Sequence, residues 1–195
     1  MDDLLSKYND YMRLVGCRAK YILENGDELE FAYHEKNFAH LIGLHKLTDV
    51  QLVQFWLDRN NKSVKLKDVL KKIRNQTFTD EMVRNSVMFP KIKERYENFS
   101  YDNLSTLNYT DAIVNFDAAK IHSSLKSDYI LFEEKKGTSY NHMGVALDTS
   151  LARRYVETFF HESTNKYMQG QEIVKVKSFQ LLDKDGKIVV EDKFK

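Results

Sequence analysis

The spacing of apolar residues predicts that the chain begins with an amphipathic helix and continues into a β-hairpin. Within residues 3–15 apolar side chains recur at helical intervals, at Leu4, Leu5, Tyr8, Tyr11, Met12 and Val15. Two runs rich in β-forming residues then flank Asn25-Gly26, a dipeptide that accepts the positive φ angles of a type I′ turn. These runs predict two antiparallel strands joined by a tight turn.

The next segment, NFAHLIGLHKLTD at residues 37–49, has the pattern of a short helix. One continuous helix would place Phe38, Leu41, Ile42 and His45 on one face, and His40, Leu44 and Leu47 on another. Gly43 costs about 1 kcal/mol relative to alanine in a helix interior, so its presence indicates a close packing contact. This arrangement predicts that His45 faces the core, as a buried structural histidine would, and lies apart from His40.

The pattern from residue 48 to residue 109 is helical. Thr48 and Gln51 predict a capping box at the start of one helix. A second helix is predicted by the apolar stripe at Leu66, Val69, Leu70 and Ile73. A further helical stretch begins near Thr79, and residues 98–109 are expected to form a loop or short turn. We expect residues 59–109 to be a helical insertion or subdomain within one α+β domain spanning residues 1–195.

After residue 110 the pattern changes to short runs of β-forming residues. These lie at residues 112–116, 128–134, 143–148, 155–160, 172–183 and 187–192, and a turn at residues 184–187 joins the last two. The predicted fold class is therefore α+β, with an N-terminal helix and β-hairpin, a helical middle and a mostly antiparallel C-terminal sheet.

The amino-acid composition excludes few classes of function. The 30 basic and 29 acidic residues leave a formal charge of +1, so a nucleic-acid surface would have to come from local clustering. Cys17 is the single cysteine, which rules out an intrachain disulfide and a cysteine-based zinc site. The acidic start of the chain differs from a secretory signal, and no apolar run reaches the ~20 residues of a membrane span. We expect a cytoplasmic protein with no membrane contact.

Several common kinds of catalytic site have no counterpart in the sequence. The seven glycines never cluster into a phosphate-binding loop, and no serine elbow, zinc-binding helix or paired-carboxylate motif is present. On one helix His40 and His45 would not share a face, and no third ligand is nearby, so a metal site is not predicted. No cofactor is predicted either.

Two segments outside residues 37–49 carry candidate chemistry. Residues 59–74 contain seven basic residues against the single acid Asp68, and on a helix they form a face suited to phosphate contacts, or a solvated surface. In the strand predicted around residues 151–163, Arg154 and Thr158 would share one face and could bind a phosphate. Glu157 and His161 would share the other face and could exchange protons. Both pairs could line one pocket only if the strand bends or bulges.

The run His40-Leu41-Ile42-Gly43-Leu44-His45-Lys46-Leu47, preceded by Phe38, resembles the signature of the fourth family of phage-type Barnase–EndoU–colicin–RelE-like nucleases. The likeness continues at Tyr155, Thr158, Phe159 and Phe160, although this chain lacks the proline that many relatives have before the Thr-Phe-Phe run. The resemblance implies a toxin-like RNase architecture of helices on a small antiparallel sheet. It also implies a phage or mobile-element origin and metal-independent cleavage of RNA.

Under this resemblance, residues 37–49 and residues 154–161 would face each other across one cleft. The expected proton carriers are His40, His45 and His161, and the expected phosphate ligands are Arg154 and Thr158, with Lys46 assisting. The expected contacts to the RNA backbone are Lys65, Lys71 and Lys72. The implied partner is RNA, with an immunity or host protein as a possible second partner. The alternatives are a non-catalytic module that inhibits a host factor, and an RNA or DNA binder without cleavage.

Overall fold

The fold, taken from a computed structural model that describes residues 3–60, 63–105, 109–135 and 139–193, is α+β, as the sequence predicts. The helices are α1 Leu4–Met12, α2 Phe38–Leu41, α3 Gln51–Leu57, α4 Leu66–Arg74, α5 Asp80–Arg84, α6 Lys93–Asn98 and α7 Tyr101–Leu104. The strands are β1 Arg18–Leu23, β2 Glu28–Ala32, β3 Asp111–Val114, β4 Tyr129–Lys135, β5 Ser139–Asp148, β6 Arg153–Glu162, β7 Glu172–Leu182 and β8 Ile188–Lys193. Short 3₁₀ turns lie at Glu35–Asn37, Leu44–Lys46, Phe89–Lys91, Ala118–Ile121 and Lys166–Met168.

The strands form one sheet that closes on itself. The order of neighbours is β1-β2-β6-β5-β4-β3-β7, and β7 pairs back with β1, while β8 adds to β7 from outside the ring. All of these pairings are antiparallel except β2 with β6, which meet in parallel at one residue pair, Ala32 with Tyr155. Within the described ranges, β6 therefore has no strand neighbour beyond Tyr155 on the side of β2.

Helices cover this open edge of β6 and share the main hydrophobic core with the sheet. Both α2 and α6 pack against β6, and Asn37 Nδ2 donates a hydrogen bond to the Val156 carbonyl, 3.0 Å away. Phe38 of α2, Tyr96 of α6 and Phe159 of β6 are all buried in this core. The position of α2 is thus fixed both by apolar burial and by a hydrogen bond to the strand edge.

The opposite face of the sheet carries a second, smaller core. Its buried members are Ile113, Phe116, Ile121, Ile130 and Phe132. The 3₁₀ turn Lys166–Met168 packs against it, and the Tyr167 ring lies 4.5 Å from the Phe160 ring, centroid to centroid. This turn therefore reaches the same strand, β6, that α2 and α6 contact from the other side.

Three of the predicted local features are wrong in detail. The hairpin forms, but only Gly26 has a positive φ, and its N–H donates to the Leu23 carbonyl, so the turn is not type I′. Helix α3 begins at Gln51 rather than Thr48, because Val50 is extended and makes no side-chain cap. A short helix, α7, also forms within residues 98–109, where a loop or short turn is expected, and residues 106–108 lie outside the described part of the chain.

The continuous helix predicted over residues 37–47 is also wrong. Helix α2 ends at Leu41, Gly43 adopts φ +93° and ψ 5°, and the Leu44–Lys46 turn follows in a new direction. A Cβ at Gly43 would lie 2.9 Å from Ile92 Cγ2 and 3.3 Å from Arg95 Cδ. The predicted close contact is therefore present, and Gly43 serves both to turn the chain and to admit the neighbouring segment.

Replacing Gly43 with alanine should destabilise the protein more than replacing Gly26 with alanine. The two glycines have nearly the same φ, +93° and +92°, but nothing lies within 4 Å of a Cβ at Gly26. We expect Gly26→Ala to cost about 1–2 kcal/mol for its left-handed backbone. Gly43→Ala should cost about 1–3 kcal/mol more, because its methyl group meets Ile92. Urea unfolding of both variants measures the difference, and equal costs would contradict the packing role.

Candidate active site

The break at Gly43 brings two histidines together. The rings of His40 and His45 stack with their centroids 4.0 Å apart and their planes at 15°. His40 is exposed and His45 is partly buried, so His45 faces the core only in part. The expectation that the two rings lie apart is wrong. His45 Nδ1 is buried and has no hydrogen-bond partner in the described part of the chain.

The environment of this pair favours neutral imidazoles. Burial, followed by the charges of His40, Lys46 and Arg95, lowers the pKa of His45 to about 3. Partial burial also lowers the pKa of His40, and Arg95 and Lys46 lower it further, while the carboxylate of Glu157 opposes the shift. At neutral pH both rings are therefore unprotonated.

Arg95 is the main cation beside the histidines. It lies on α6, its Nη1 is 3.5 Å from the His40 carbonyl oxygen, and burial lowers the pKa of its guanidinium. Over the residues that the structure describes, Arg95 makes no ion pair with a carboxylate. A partly buried guanidinium without a counter-ion is well suited to bind a phosphate through its planar set of donors.

Tyr167, in the 3₁₀ turn Lys166–Met168, lies within electrostatic range of Arg95. The positive charge of Arg95 favours the ionised form of Tyr167, but burial and the nearby Glu162 carboxylate outweigh it and raise the pKa of the phenol. Tyr167 therefore keeps its proton at neutral pH and can donate it.

Strand β6 contains a β-bulge at the point where it passes the histidines. Gly144 pairs with Thr158, but the next residue, Val145, pairs with Val156, which leaves Glu157 as an extra residue. Because Gly144 and Val145 are adjacent in one strand, they face opposite sides of the sheet, and so do their partners Thr158 and Val156. The bulge therefore changes which residues of β6 share a face.

The bulge holds the Glu157 carboxylate in a fixed position near His40. It accepts hydrogen bonds from the Lys126 backbone N–H, at 3.1 and 3.2 Å, and from the Ser127 hydroxyl, at 2.5 Å. Ser127 lies directly over Gly144, where a Cβ would collide with its hydroxyl. Glu157 is thus on the Gly144 side of the sheet and close enough to His40 to raise its pKa.

The expectation that Arg154 and Thr158 share a face is wrong because the bulge lies between them. Arg154 forms an ion pair with Asp128, with Nε 3.0 Å from Oδ2, and its guanidinium lies over the Tyr129 ring. Thr158 is buried, and its Cγ2 is 2.7 Å from the position that a Cβ at Gly144 would occupy. Arg154 is thus paired with a carboxylate, and Thr158 is buried against the neighbouring strand.

The expectation that His161 and Glu157 share a face is wrong for the same reason. His161 Nδ1 lies 3.0 Å from Asn141 Oδ1, and Asn141 Nδ2 donates to Glu133 at 3.2 Å. Asn141 and Gly144 are three residues apart on β5, so they face opposite sides of the sheet. His161 therefore belongs to a polar network on the side of β6 opposite the Glu157 carboxylate.

Of the basic surface predicted at residues 59–74, Lys71 and Lys72 lie on α4, Lys65 lies at its N-cap, and Lys62 lies outside the described residues. Lys65, Lys71 and Lys72 are exposed, and Val69, Leu70 and Ile73 on the other face of the helix are buried. Helix α4 packs against α1 and α3, and the Asp68 carboxylate accepts the Lys65 N–H at 2.8 Å to cap its start. Lys46 is exposed beside the histidine pair. The binding of RNA by these four exposed lysines stays a prediction.

Sequence reasoning missed Arg95 and Tyr167 as members of the site. Arg95 lies in a helical segment among other charged residues, KIKERYENF, and Tyr167 in a 3₁₀ turn, so neither has a distinguishing local pattern. Among the residues described, no group of three or more His, Cys, Asp or Glu side chains is arranged to hold a metal ion. The described helices include none that is both long and apolar enough to cross a membrane.

Comparison with known proteins gives one match. The family model PBECR4, described as phage-Barnase-EndoU-ColicinE5/D-RelE like nuclease 4, matches residues 3–193. Neither the curated proteins nor the solved structures contain a significant match to the chain. The matched range includes every helix and strand given above and all residues of the histidine site, which we define as His40, His45, Arg95, Glu157 and Tyr167.

We expect His45 to stay neutral in the folded protein between pH 6.5, its ordinary pKa, and about pH 3. The unfolded chain binds a proton in that range and the folded chain does not. The contribution of His45 to stability is therefore present above pH 6.5 and is lost as the pH falls towards 3. NMR titration of the His45 ring measures this directly, with the urea-unfolded chain as control. A folded-state pKa near 6.5 would contradict the environment described.

Proposed function

Because the chain belongs to the PBECR4 family of phage-Barnase-EndoU-ColicinE5/D-RelE like nucleases, we propose that it is a metal-independent endoribonuclease and that the histidine site is its active site. The observation that carries the proposal is the meeting of two neutral, stacked imidazoles with a guanidinium that forms no ion pair in the described structure. RNA cleavage without a metal needs a proton acceptor, a proton donor and a cation on the phosphate, and this site offers all three.

His40 is the proposed general base. Its ring is exposed, so it can reach a ribose 2′-hydroxyl, and its lowered pKa keeps it unprotonated at neutral pH. His45 stacks on it and holds the ring in place. Glu157, fixed by Lys126 and Ser127, stabilises the imidazolium that forms when His40 takes the proton.

Arg95 is the proposed phosphate ligand, with Lys46 as a second cation. When the 2′-oxygen attacks phosphorus, negative charge builds up on the non-bridging oxygens, and a nearby guanidinium stabilises it. The bond from phosphorus to the 5′-oxygen then breaks, and that oxygen takes a proton, for which Tyr167 is the proposed donor. The products are a 2′,3′-cyclic phosphate and a 5′-hydroxyl end.

This assignment changes the residues expected from the sequence. His40 keeps its proposed role as a proton carrier and Lys46 its assisting role, while His45 changes from a proton carrier to a residue that positions His40. Arg95 replaces Arg154 as the phosphate ligand because Arg154 is paired with Asp128. His161, bonded to Asn141, is not part of the proposed chemistry. RNA binding without cleavage is the second candidate, because the exposed lysines of α4 could hold a phosphate backbone by themselves.

Replacing His40 with glutamine should lower the rate of RNA cleavage by about 10²–10⁴-fold, because the proton acceptor is lost. Labelled RNA in buffer with EDTA, analysed for 2′,3′-cyclic phosphate ends, gives the measurement. The matched control is His122→Asn, since His122 is exposed and its left-handed backbone suits asparagine. Wild-type rates in the His40→Gln protein would contradict the assignment. If the wild-type protein binds the RNA but leaves it intact, the second candidate function, RNA binding without cleavage, is favoured.

Replacing Arg95 with alanine should have two separate effects. The cleavage rate should fall by about 10²–10³-fold, as for the loss of another group that stabilises transition-state charge. The acid limb of the pH–rate profile should also move to higher pH, because Arg95 lowers the pKa of His40 and its removal lets that pKa rise. Arg95→Lys keeps the positive charge but loses the planar set of donors. Its acid limb should therefore lie at the wild-type pH, while its cleavage rate should reach only part of the wild-type rate. An unchanged pH–rate profile in Arg95→Ala would contradict the effect of Arg95 on the pKa of His40.

A further inference from the structure

A groove opens beside the histidine site, between the start of α2 and the connection from β5 to β6. It comprises a cavity of about 350 Å³ whose lining includes His34, Lys36, Asn37, Arg153 and Tyr155. A second cavity, of about 560 Å³, shares His34 and Arg153 with the first and continues along β2. We call the two together the Lys36–Arg153 groove.

The Glu28 and Glu30 carboxylates of the second cavity form ion pairs with Lys20 and Arg18. The positive charge of the groove outside such pairs comes from Lys36 and Arg153. Both are exposed, and in the described ranges neither forms an ion pair with a carboxylate. Asp148 also lines the groove, where hydrogen bonds from Ser150, and then the charge of Lys36 within electrostatic range, lower the pKa of its carboxyl group. Its Oδ1 accepts hydrogen bonds from the backbone N–H groups of Ser150 and Leu151.

His34 lies between these two cations. Burial, and then the charges of Lys36 and Arg153, lower the pKa of its imidazole. His34 therefore lies within electrostatic range of both Lys36 and Arg153, in a protein whose formal charge is only +1. Such a local concentration of positive charge attracts phosphate groups.

The groove leads directly to the histidine site. Asn37 lines it and also donates to the Val156 carbonyl, one residue before Glu157. His40 follows Asn37 by three residues, within the next helical turn. The start of α2 therefore connects the groove to the histidine site, so RNA bound at the site has the groove beside it.

We propose that the Lys36–Arg153 groove binds the nucleotide adjacent to the scissile phosphate of single-stranded RNA. Lys36 and Arg153 hold its phosphate, and the partly buried ring of Tyr155 stacks on its base. The substrate is single-stranded because a base can stack on a side chain only when it is free of its own helix. This inference rests on the proposed ribonuclease function and names the form of RNA that it acts on.

The test uses a fluorescent 2′-O-methyl tetranucleotide, which the protein cannot cleave because it has no free 2′-hydroxyl. We expect the Lys36→Ala/Arg153→Ala protein to bind it about tenfold or more weakly than the wild type, by fluorescence anisotropy. The salt dependence should also become shallower by about 0.7 in log–log slope, since the variant loses one phosphate contact and each such contact to a single strand contributes about 0.7. Lys177→Ala/Lys193→Ala removes the same charge from exposed positions on β7 and β8 and is the control. Binding by the groove variant within about twofold of wild type, an equal loss in the control, or no binding by the wild type would overturn the proposal.

Variants at Tyr155 separate stacking from charge. Tyr155→Phe keeps the aromatic ring and should bind as tightly as wild type, while Tyr155→Leu keeps apolar bulk without a ring and should bind about tenfold more weakly. Equal affinity of the phenylalanine and leucine variants would overturn the stacking contact. Urea unfolding of each variant shows that the comparison is made on folded protein.

Cleavage assays distinguish failure of this inference from failure of the proposed function. A wild-type protein that binds the tetranucleotide through the groove but leaves RNA intact would refute the ribonuclease function and retain the groove as a binding site. If the wild type cleaves RNA and Lys36→Ala/Arg153→Ala cleaves it with unchanged KM, the function stands and the groove is refuted. A raised KM with little change in kcat supports both.

Discussion

Strands β2 and β6 meet only at Ala32 and Tyr155, and the remaining outer edge of β6 has to be covered by something other than a strand. Backbone N–H and C=O groups at a buried sheet edge are costly to leave without partners, and an exposed edge invites pairing with other chains. This protein covers the edge with α2 and α6, and Asn37 bonds the Val156 carbonyl. The site exists because those two helices carry His40 and Arg95 to the same strand.

Two single-residue irregularities then set the geometry at that edge. Gly43 takes a left-handed backbone, so the chain turns and His45 folds back onto His40. Glu157 is the extra residue of a bulge, so its carboxylate points to the Gly144 side of the sheet, where Ser127 and the Lys126 N–H hold it. Neither feature contributes much buried area, and both place functional groups that a regular helix or strand would send elsewhere.

The histidines share one electrostatic environment, which is positively charged. Arg95, Lys46, Lys36 and Arg153 surround the histidines with positive charge, and no described carboxylate forms an ion pair with any of them. Burial lowers the pKa values of His34, His40 and His45, and that positive charge lowers them further. A bound polyanion would supply the missing negative charge, and the neutral histidines would then be available as bases.

The sequence by itself determined the elements, the α+β class and the run around His40 and His45, because hydrophobic periodicity and a family signature are local properties. The predicted strands all form, although β5 begins at Ser139, four residues before its predicted start. Tertiary structure alone decided the stacking of His40 on His45, the bulge at Glu157, and the recruitment of Arg95 and Tyr167. These depend on one backbone angle at Gly43 and on the register between distant strands. Both are set by packing against Ile92 and Ser127, residues that no local pattern connects to the histidines.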